Sequence, residues 1–276
     1  MREHAWICVT CGVQREHAAQ PPPQCPICED ERQYVGPQGQ RWMEPAAVRA
    51  THSNLFHPEE PGLWSIRTDP VFAIGQRAYL IQTPSGNLLW DCVSLVDDDT
   101  IRRVKALGGI RSIAISHPHY YAALADWSEA FDGAPVWLHE ADQSWVARRT
   151  RGLRFWSGER HPLFGGLSLI RTGGHFDGYQ VAHWPGGALG AGVLFAGDQP
   201  QVCFDRRWVT FMYSYPNWIP FDAATVRRIA DSLAAVPFDR LYGAFGRNIE
   251  AGAKEVLARS AVRYLRAISG DPAATA

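Results

Sequence analysis

Four cysteines within the first 28 residues constrain this chain more than any other feature. They form two Cys-x2-Cys pairs, Cys8 with Cys11 and Cys25 with Cys28, and thirteen residues separate the pairs. Each pair can direct two thiolates at one ion, and two pairs supply the tetrahedral four-sulfur set that Zn²⁺ or iron accepts. A segment of about 35 residues buries too little apolar surface to fold alone, so we expect it to need that ion.

The alternative interpretation of these cysteines is a pair of disulfides or of redox Cys-x-x-Cys motifs. Cys8 and Cys11 fall where a signal peptide would need an uninterrupted apolar segment, so we expect an unexported, cytoplasmic protein. Two such close pairs in an unexported chain favour a metal centre over disulfides.

The cysteine segment resembles a zinc ribbon, and the pattern from Trp6 to Cys28 is equally similar to a short rubredoxin. The resemblance implies a metal centre and leaves zinc and iron both open. We predict a ribbon over residues 1–36, with a structural role or a surface for a protein partner.

The charge balance argues against two classes of partner. Lys and Arg total 27 against 28 Asp and Glu, and the net charge is -1. A nucleic acid or a membrane surface therefore has no electrostatic footprint on this chain. The composition is globular, with 46% hydrophobic and 12% aromatic residues. We expect a small-molecule substrate, and the sequence does not specify the oligomeric state.

Beyond the ribbon the chain divides into two parts. Residues 37–70 contain five prolines and little periodicity, which predicts an irregular linker. From residue 71 to residue 276 strands and helices alternate, beginning with a hairpin over 71–83 and 87–93. Mixed hairpins and helix-flanked strands favour an α/β sandwich of the α+β kind over a doubly wound parallel sheet.

Three predicted strands of this larger domain end in side chains that can bind a metal. His117-x-His119 follows residues 110–116, His175 follows residues 167–170, and Asp198 follows residues 193–197. Ligands at several strand ends of one sheet edge converge while the strands hold them rigidly. The sequence therefore predicts a metal site formed by His117, His119 and His175, with Asp198 beside them.

The order and spacing of these motifs resemble the metallo-beta-lactamase superfamily. Residues 116–119 stand where that family has its HxHxDH motif, His175 matches its later histidine, and residues 195–198 match its FxGD aspartate. Asp91 is similar to the family's early structural aspartate. The resemblance covers residues 71–247 and implies a four-layer αββα sandwich with the metal site at one edge between the two sheets.

The chain departs from the family motif at the ligands of the second metal. Tyr121 and Ala122 stand in place of the aspartate and histidine of HxHxDH, and Ala244-Phe245 stands where the family's final histidine is expected. What remains is enough for one ion. The hydroxyl of Tyr121 either fills the space of the second metal, binds a substrate oxygen or merely packs.

The predicted function is a metal-dependent hydrolase, and the resemblance implies a small ester, thioester, lactone or amide as its substrate. Three histidines leave a coordination position for water, whose pKa a bound Zn²⁺ lowers to about 7. Asp198 would orient that water, accept its proton or serve as a fourth ligand, and Tyr121 is the second candidate catalytic residue. Two histidines plus Asp198 also form the set that suits Fe²⁺, which persulfide dioxygenases of this superfamily use. The alternatives are a non-catalytic binding or scaffold protein and a mononuclear iron redox protein.

Overall fold

The computed structural model describes residues 3–270, which form two compact units that divide between Trp156 and Ser157. Within residues 3–156, the first unit has ten strands: β1 (His4–Cys8), β2 (Gln14–Ala18), β3 (Trp42–Met43), β4 (Ser53–Glu60), β5 (Leu63–Asp69), β6 (Ala78–Thr83), β7 (Gly86–Trp90), β8 (Ser112–Ala114), β9 (Val136–His139) and β10 (Leu153–Trp156). Its α-helices are α1 (Pro26–Glu29), α2 (Pro45–Thr51), α3 (Asp98–Ala106) and α4 (Leu124–Ala130), and short 3₁₀ turns cover Pro118–Tyr120 and Glu140–Trp145.

The first unit contains a small and a large sheet. The small sheet has the order β2-β1-β3, and the large one has the order β10-β9-β8-β7-β6-β5-β4. Strands β6 and β7 form the predicted hairpin, with Thr83 opposite Gly86. Helix α3 begins with a capped turn, in which the carboxylate of Asp97 accepts from the backbone nitrogen of Thr100 at 2.8 Å. Strands β7 to β10 are parallel, so their carboxyl ends lie at one sheet edge.

The structure corrects the prediction of an irregular segment over residues 37–70. Residues 45–51 are helical, and β4 and β5 form a hairpin that extends the large sheet through β6. Strand β4 is an edge strand whose one buried side chain is the polar Asn54, so it lacks the apolar alternation that identifies a strand. Pro58 lies in this edge strand next to a register shift, where a missing N–H is tolerated.

Within residues 157–270, the second unit has ten further strands and two α-helices. The strands are β11 (Arg160–Pro162), β12 (Ser168–Arg171), β13 (Gln180–Trp184), β14 (Val193–Gly197), β15 (Gln201–Val202), β16 (Val209–Thr210), β17 (Met212–Ser214), β18 (Ile219–Pro220), β19 (Arg240–Gly243) and β20 (Asn248–Ile249). The helices are α5 (Ala223–Ala234) and α6 (Ala253–Ser269), and 3₁₀ turns cover Phe164–Gly166 and Ala188–Gly190.

A six-stranded sheet of order β11-β12-β13-β14-β19-β20 is the framework of the second unit. Helix α5 buries Val226, Ile229 and Leu233, which recur on one helical face. The pair β14 and β19 is parallel, so both strands end at the same edge, beside the loop that follows Gly197. Among residues 3–270, no helix is both long enough and apolar enough to cross a membrane.

Candidate metal centres

The four cysteines of the ribbon lie together and are buried. The Sγ atoms of Cys8 and Cys28 are 3.5 Å apart, those of Cys11 and Cys25 are 3.7 Å apart, and all four lie within 4.8 Å of one another. Four sulfurs that surround an ion at 2.3 Å would be about 3.8 Å apart. None of the four is in a disulfide bond, so the structure favours the metal-centre interpretation over the disulfide alternative.

Local turns give each cysteine pair its geometry. Gly12, with a φ of +79°, donates its N–H to the carbonyl of Cys8 at 2.8 Å, and the N–H of Cys28 donates to the carbonyl of Cys25 at 2.9 Å. Hydrogen bonds from the other thiols, that of Cys11 first, hold the pKa of Cys8 far below its usual value. Burial raises the pKa of Cys11. A cation among the sulfurs would stabilise the thiolates in this buried cluster.

His117 and His119 lie just beyond the carboxyl end of β8. Both are buried, their ring centroids are 5.0 Å apart, and each offers a ring nitrogen within 4.8 Å of the other's. A 3₁₀ turn, in which the N–H of Tyr120 donates to the carbonyl of His117 at 3.0 Å, brings the two rings to one side of the loop. The first unit thus brings together two of the predicted ligands.

A buried hydrogen-bonded chain fixes the ring of His117. The carboxylate of Asp91 accepts from the backbone nitrogen of Ser116 at 2.7 Å and from its hydroxyl at 2.8 Å, and the same hydroxyl oxygen is 2.8 Å from Nδ1 of His117. Because the Ser116 proton goes to Asp91, we assign the proton of this imidazole to Nδ1, which leaves Nε2 to bind a metal. Asp91 therefore has the structural role that the sequence resemblance implied.

His175 lies in a glycine-rich loop after β12. Gly173 and Gly174 have φ values of +59° and +98°, a region that L side chains rarely adopt. The side-chain amide of Gln199 holds this loop, because Oε1 accepts from the N–H of His175 at 3.0 Å and Nε2 donates to the carbonyl of Gly173 at 2.6 Å. A Cβ on Gly174 would lie 2.7 Å from Oε1 of Gln199, so the amide needs a glycine there.

Asp198 follows β14 and is also buried. The hydroxyl of Tyr179 accepts from the backbone nitrogens of Asp198 and Gln199 at 2.6 and 2.8 Å, and the hydroxyl of Tyr215 donates to the Asp198 carbonyl at 2.7 Å. The Asp198 carboxylate accepts from Gln201 at 3.3 Å. His175 and Asp198 offer ligand atoms within 4.8 Å of each other, so the second unit brings together the other two predicted ligands.

The positions that depart from the family motif offer no metal ligand. Ala122 is buried and has a φ of +40°. Ala244 is also buried, and its N–H donates to the carbonyl of Gly197 at the end of β14, at 3.2 Å. The hydroxyl of Tyr121 lies 3.5 Å from the backbone carbonyl of Asp142. Burial, and then the charge of Asp142, raises the pKa of Tyr121, so its hydroxyl stays neutral.

Sequence reasoning did not find the residues that hold the candidate ligands His175 and Asp198 in the second unit. These are Tyr179, Gln199 and Tyr215, which reach the ligand loops through hydrogen bonds between distant segments. Only Gln199, next to Asp198 in the sequence, has a position that could have drawn attention to it.

Comparisons with known proteins give one relative and several structures. No family model matches the chain. The uncharacterized protein YmaE of Bacillus subtilis (strain 168) is 48% identical over 268 residues, which is 96% of this chain and 97% of that protein. A metallo-beta-lactamase of Cronobacter sakazakii with a HARLDQ motif is 20% identical, with a TM-score of 0.52 over 83% of this chain and 98% of that one.

Two further solved structures are similar over most of the chain. VMB-1 is 12% identical, with a TM-score of 0.58 over 78% of this chain and 98% of that chain. The metallo-beta-lactamase DIM-1 is 10% identical, with a TM-score of 0.56 over 75% of this chain and 98% of that chain. Likeness at these identities shows a common fold.

Proposed function

This chain belongs to the family of the Bacillus subtilis protein YmaE and has the metallo-beta-lactamase fold, and from this premise we propose that it is a metal-dependent hydrolase with one metal ion in its larger domain. The fold class predicted from the sequence is confirmed. The fold together with the buried histidine and aspartate residues supports a metal-dependent hydrolase at the level of the superfamily. The number of ions and the substrate class are part of the proposal.

The observation that carries the proposal is the donor set. Each unit gathers two buried candidate ligands of its own, His117 with His119 and His175 with Asp198. These are the positions at which the resemblance has the first metal, and it implies that the three histidines bind one ion, with Asp198 as a fourth ligand or as the group that positions the attacking water. Three imidazoles and one carboxylate fit a divalent zinc or iron ion.

An ion in this donor set would acidify a water molecule and polarise a carbonyl group. The chain's own residues would do the rest. Asp198 would orient the attacking water or accept its proton, and its backbone is held in place by its hydrogen bonds to the hydroxyls of Tyr179 and Tyr215. Asp91 and Ser116 would keep His117 in the tautomer that binds the metal. We propose zinc as the ion, and a small ester, thioester, lactone or amide as the substrate.

Metal analysis of untagged protein purified without added metal tests the proposal. The expected content is two equivalents of zinc per chain, one in the ribbon and one in the larger domain. His175→Ala should lose one equivalent together with ester or lactone hydrolysis, and the ribbon ion should stay. His57→Ala is the matched control. The side chain of His57 is 71% exposed, so this substitution should change neither the metal content nor the hydrolysis. An active His175→Ala protein with two equivalents would overturn the assignment.

A non-catalytic binding protein is the second candidate, and specific residues favour it. Ala122 and Ala244 replace two ligands of the second metal, so the fold has already lost part of the family's site. If wild type holds one equivalent and a His117→Ala/His175→Ala variant keeps it, the larger domain binds no metal. That outcome would support the non-catalytic candidate, with the ribbon as the metal-binding module.

A further inference from the structure

The ribbon contacts the loop that carries His117 and His119. We define the ligand loop as residues 116–124. At its start, Ser116 is held by Asp91, and near its end the carbonyl of Ala122 accepts a 3.0 Å hydrogen bond from the backbone nitrogen of Gln14, the first residue of β2. The loop is therefore tied at one end by the large sheet and at the other by the ribbon.

The side chain of Gln14 is inserted into a partly buried ion pair, that of Arg148 with Asp126. Its Nε2 donates to the carboxylate of Asp126 at 2.8 Å, and its Oε1 accepts from the guanidinium of Arg148. Arg148 is only 8% exposed and is itself paired with Asp126. Because buried charged groups need their hydrogen-bond partners, this arrangement fixes the position of Gln14 against α4 and so against the ligand loop.

Two further contacts hold the ribbon beside Gln14. The hydroxyl of Ser94 donates to the carbonyl of Gly12 at 2.7 Å, and Ile7 packs in a buried apolar cluster with Val48, Phe72 and Leu95. Gly12 directly follows Cys11, and Gln14 is three residues beyond Cys11. The same short segment therefore carries a cysteine of the metal cluster and the contacts to the ligand loop.

We propose that the ribbon is a metal-dependent clamp on the ligand loop, with Gln14 as its positioning residue. A four-cysteine module of this size depends on its ion for folding, so loss of the ion releases the segment that holds Gln14. The ligand loop then loses its tie at Ala122, and His117 and His119 lose their fixed geometry. Occupancy of the ribbon thus controls how tightly the histidine site binds its metal. This effect on metal binding rests on the proposed function.

The test compares three variants of the full-length chain. Cys25→Ser removes a sulfur from the cluster, Gln14→Ala removes the side-chain contacts while leaving the cysteines intact, and His17→Ala is the control, an exposed residue of the same strand. The first readout is hydrogen exchange of the backbone amides of residues 117–124, with β9 as the reference. The second is the affinity of the histidine site for Zn²⁺, measured by competition with a chelator.

In Cys25→Ser and Gln14→Ala we expect exchange in residues 117–124 to be about tenfold faster, as for a segment that opens locally, with β9 unchanged. In Gln14→Ala, zinc affinity at the histidine site should fall about tenfold while the ribbon ion is retained, as for loss of a group that orients a ligand. His17→Ala should match wild type in both readouts.

Unchanged exchange of the ligand loop in both Gln14→Ala and Cys25→Ser would overturn the clamp. If Cys25→Ser does not fold, Gln14→Ala alone decides, because its ribbon keeps all four sulfurs. If wild type binds no ion at its histidines, the proposed function fails, yet the exchange measurement still decides whether the ribbon holds the loop. The two proposals can therefore fail separately.

Discussion

The N–H of His175 donates a 3.0 Å hydrogen bond to Oε1 of Gln199, so the residue next to one predicted ligand holds the loop of another. Nε2 of the same amide donates to the carbonyl of Gly173 at 2.6 Å, and Gln199 is completely buried. A side-chain amide offers a donor and an acceptor in one plane, and this loop uses both. A carboxylate of the same shape offers acceptors only.

We therefore expect Gln199→Glu to loosen the His175 loop although it changes no shape. The new carboxylate oxygen would face the carbonyl oxygen of Gly173 where a donor was present, and a buried acceptor would lose its partner. Zinc affinity at the histidine site should fall about tenfold or more, as when a group that orients a ligand is lost. Competition with a chelator measures this affinity. Gln143→Glu, the same substitution at an exposed position, is the control. Wild-type affinity in Gln199→Glu would show that the amide does not position His175.

Gly174→Ala should disrupt the same contact sterically. The added Cβ would lie 2.7 Å from Oε1 and 2.8 Å from Nε2 of Gln199, and the backbone has a φ of +98°. Gly190→Ala is the matched control, since its φ is +92° and no atom lies within 4 Å of the added Cβ. Both substitutions incur the backbone cost of about 1–2 kcal/mol, so only Gly174→Ala should also lose zinc affinity. Equal losses of unfolding free energy and of affinity in the two variants would contradict a specific role for Gly174.

The sequence identified the candidate ligands, which the structure brings together, but missed the residues that hold their loops, and there is a physical reason for this difference. Cys8, His117 and Asp198 are marked by local signals, a cysteine spacing or the end of an apolar strand. Gln199 and Tyr215 act through hydrogen bonds to residues 24 and 17 positions away, and nothing in a local pattern specifies which distant backbone group a side chain will reach.

The hairpin of β4 and β5 was missed for a related reason. Its outer strand, β4, buries only Asn54 and contains Pro58, so the sequence pattern there resembles that of a loop. The extended conformation of β5 depends on its pairing with β6, in which Leu63 lies opposite Ile81. That partnership is a tertiary property, whereas the hairpin of β6 and β7 was predictable because its turn residues are adjacent in the sequence.

Ser116→Ala should weaken metal binding without a large loss of stability. The substitution removes the hydroxyl that joins Asp91 to Nδ1 of His117, while the backbone bond from Ser116 to Asp91 remains. Without that acceptor the imidazole is no longer held in one tautomer, so zinc affinity should fall about tenfold. Ser85→Ala, at an exposed turn, is the control. The hydroxyl has no orienting role if both variants bind zinc as wild type does.

Tyr121 was a candidate catalytic residue on sequence grounds, and two substitutions separate that role from packing. Its ring is buried, and its hydroxyl has a long contact of 3.5 Å with the carbonyl of Asp142. We expect Tyr121→Phe to keep the metal content and the rate of hydrolysis of a small chromogenic ester, because the ring still fills its space. Tyr121→Ala should lower the free energy of unfolding by about 3–5 kcal/mol through the cavity that it leaves. A Tyr121→Phe variant with full metal content, an unchanged KM and a kcat reduced about 100-fold would instead assign the hydroxyl a catalytic role, since a positioned proton donor contributes a factor of that order.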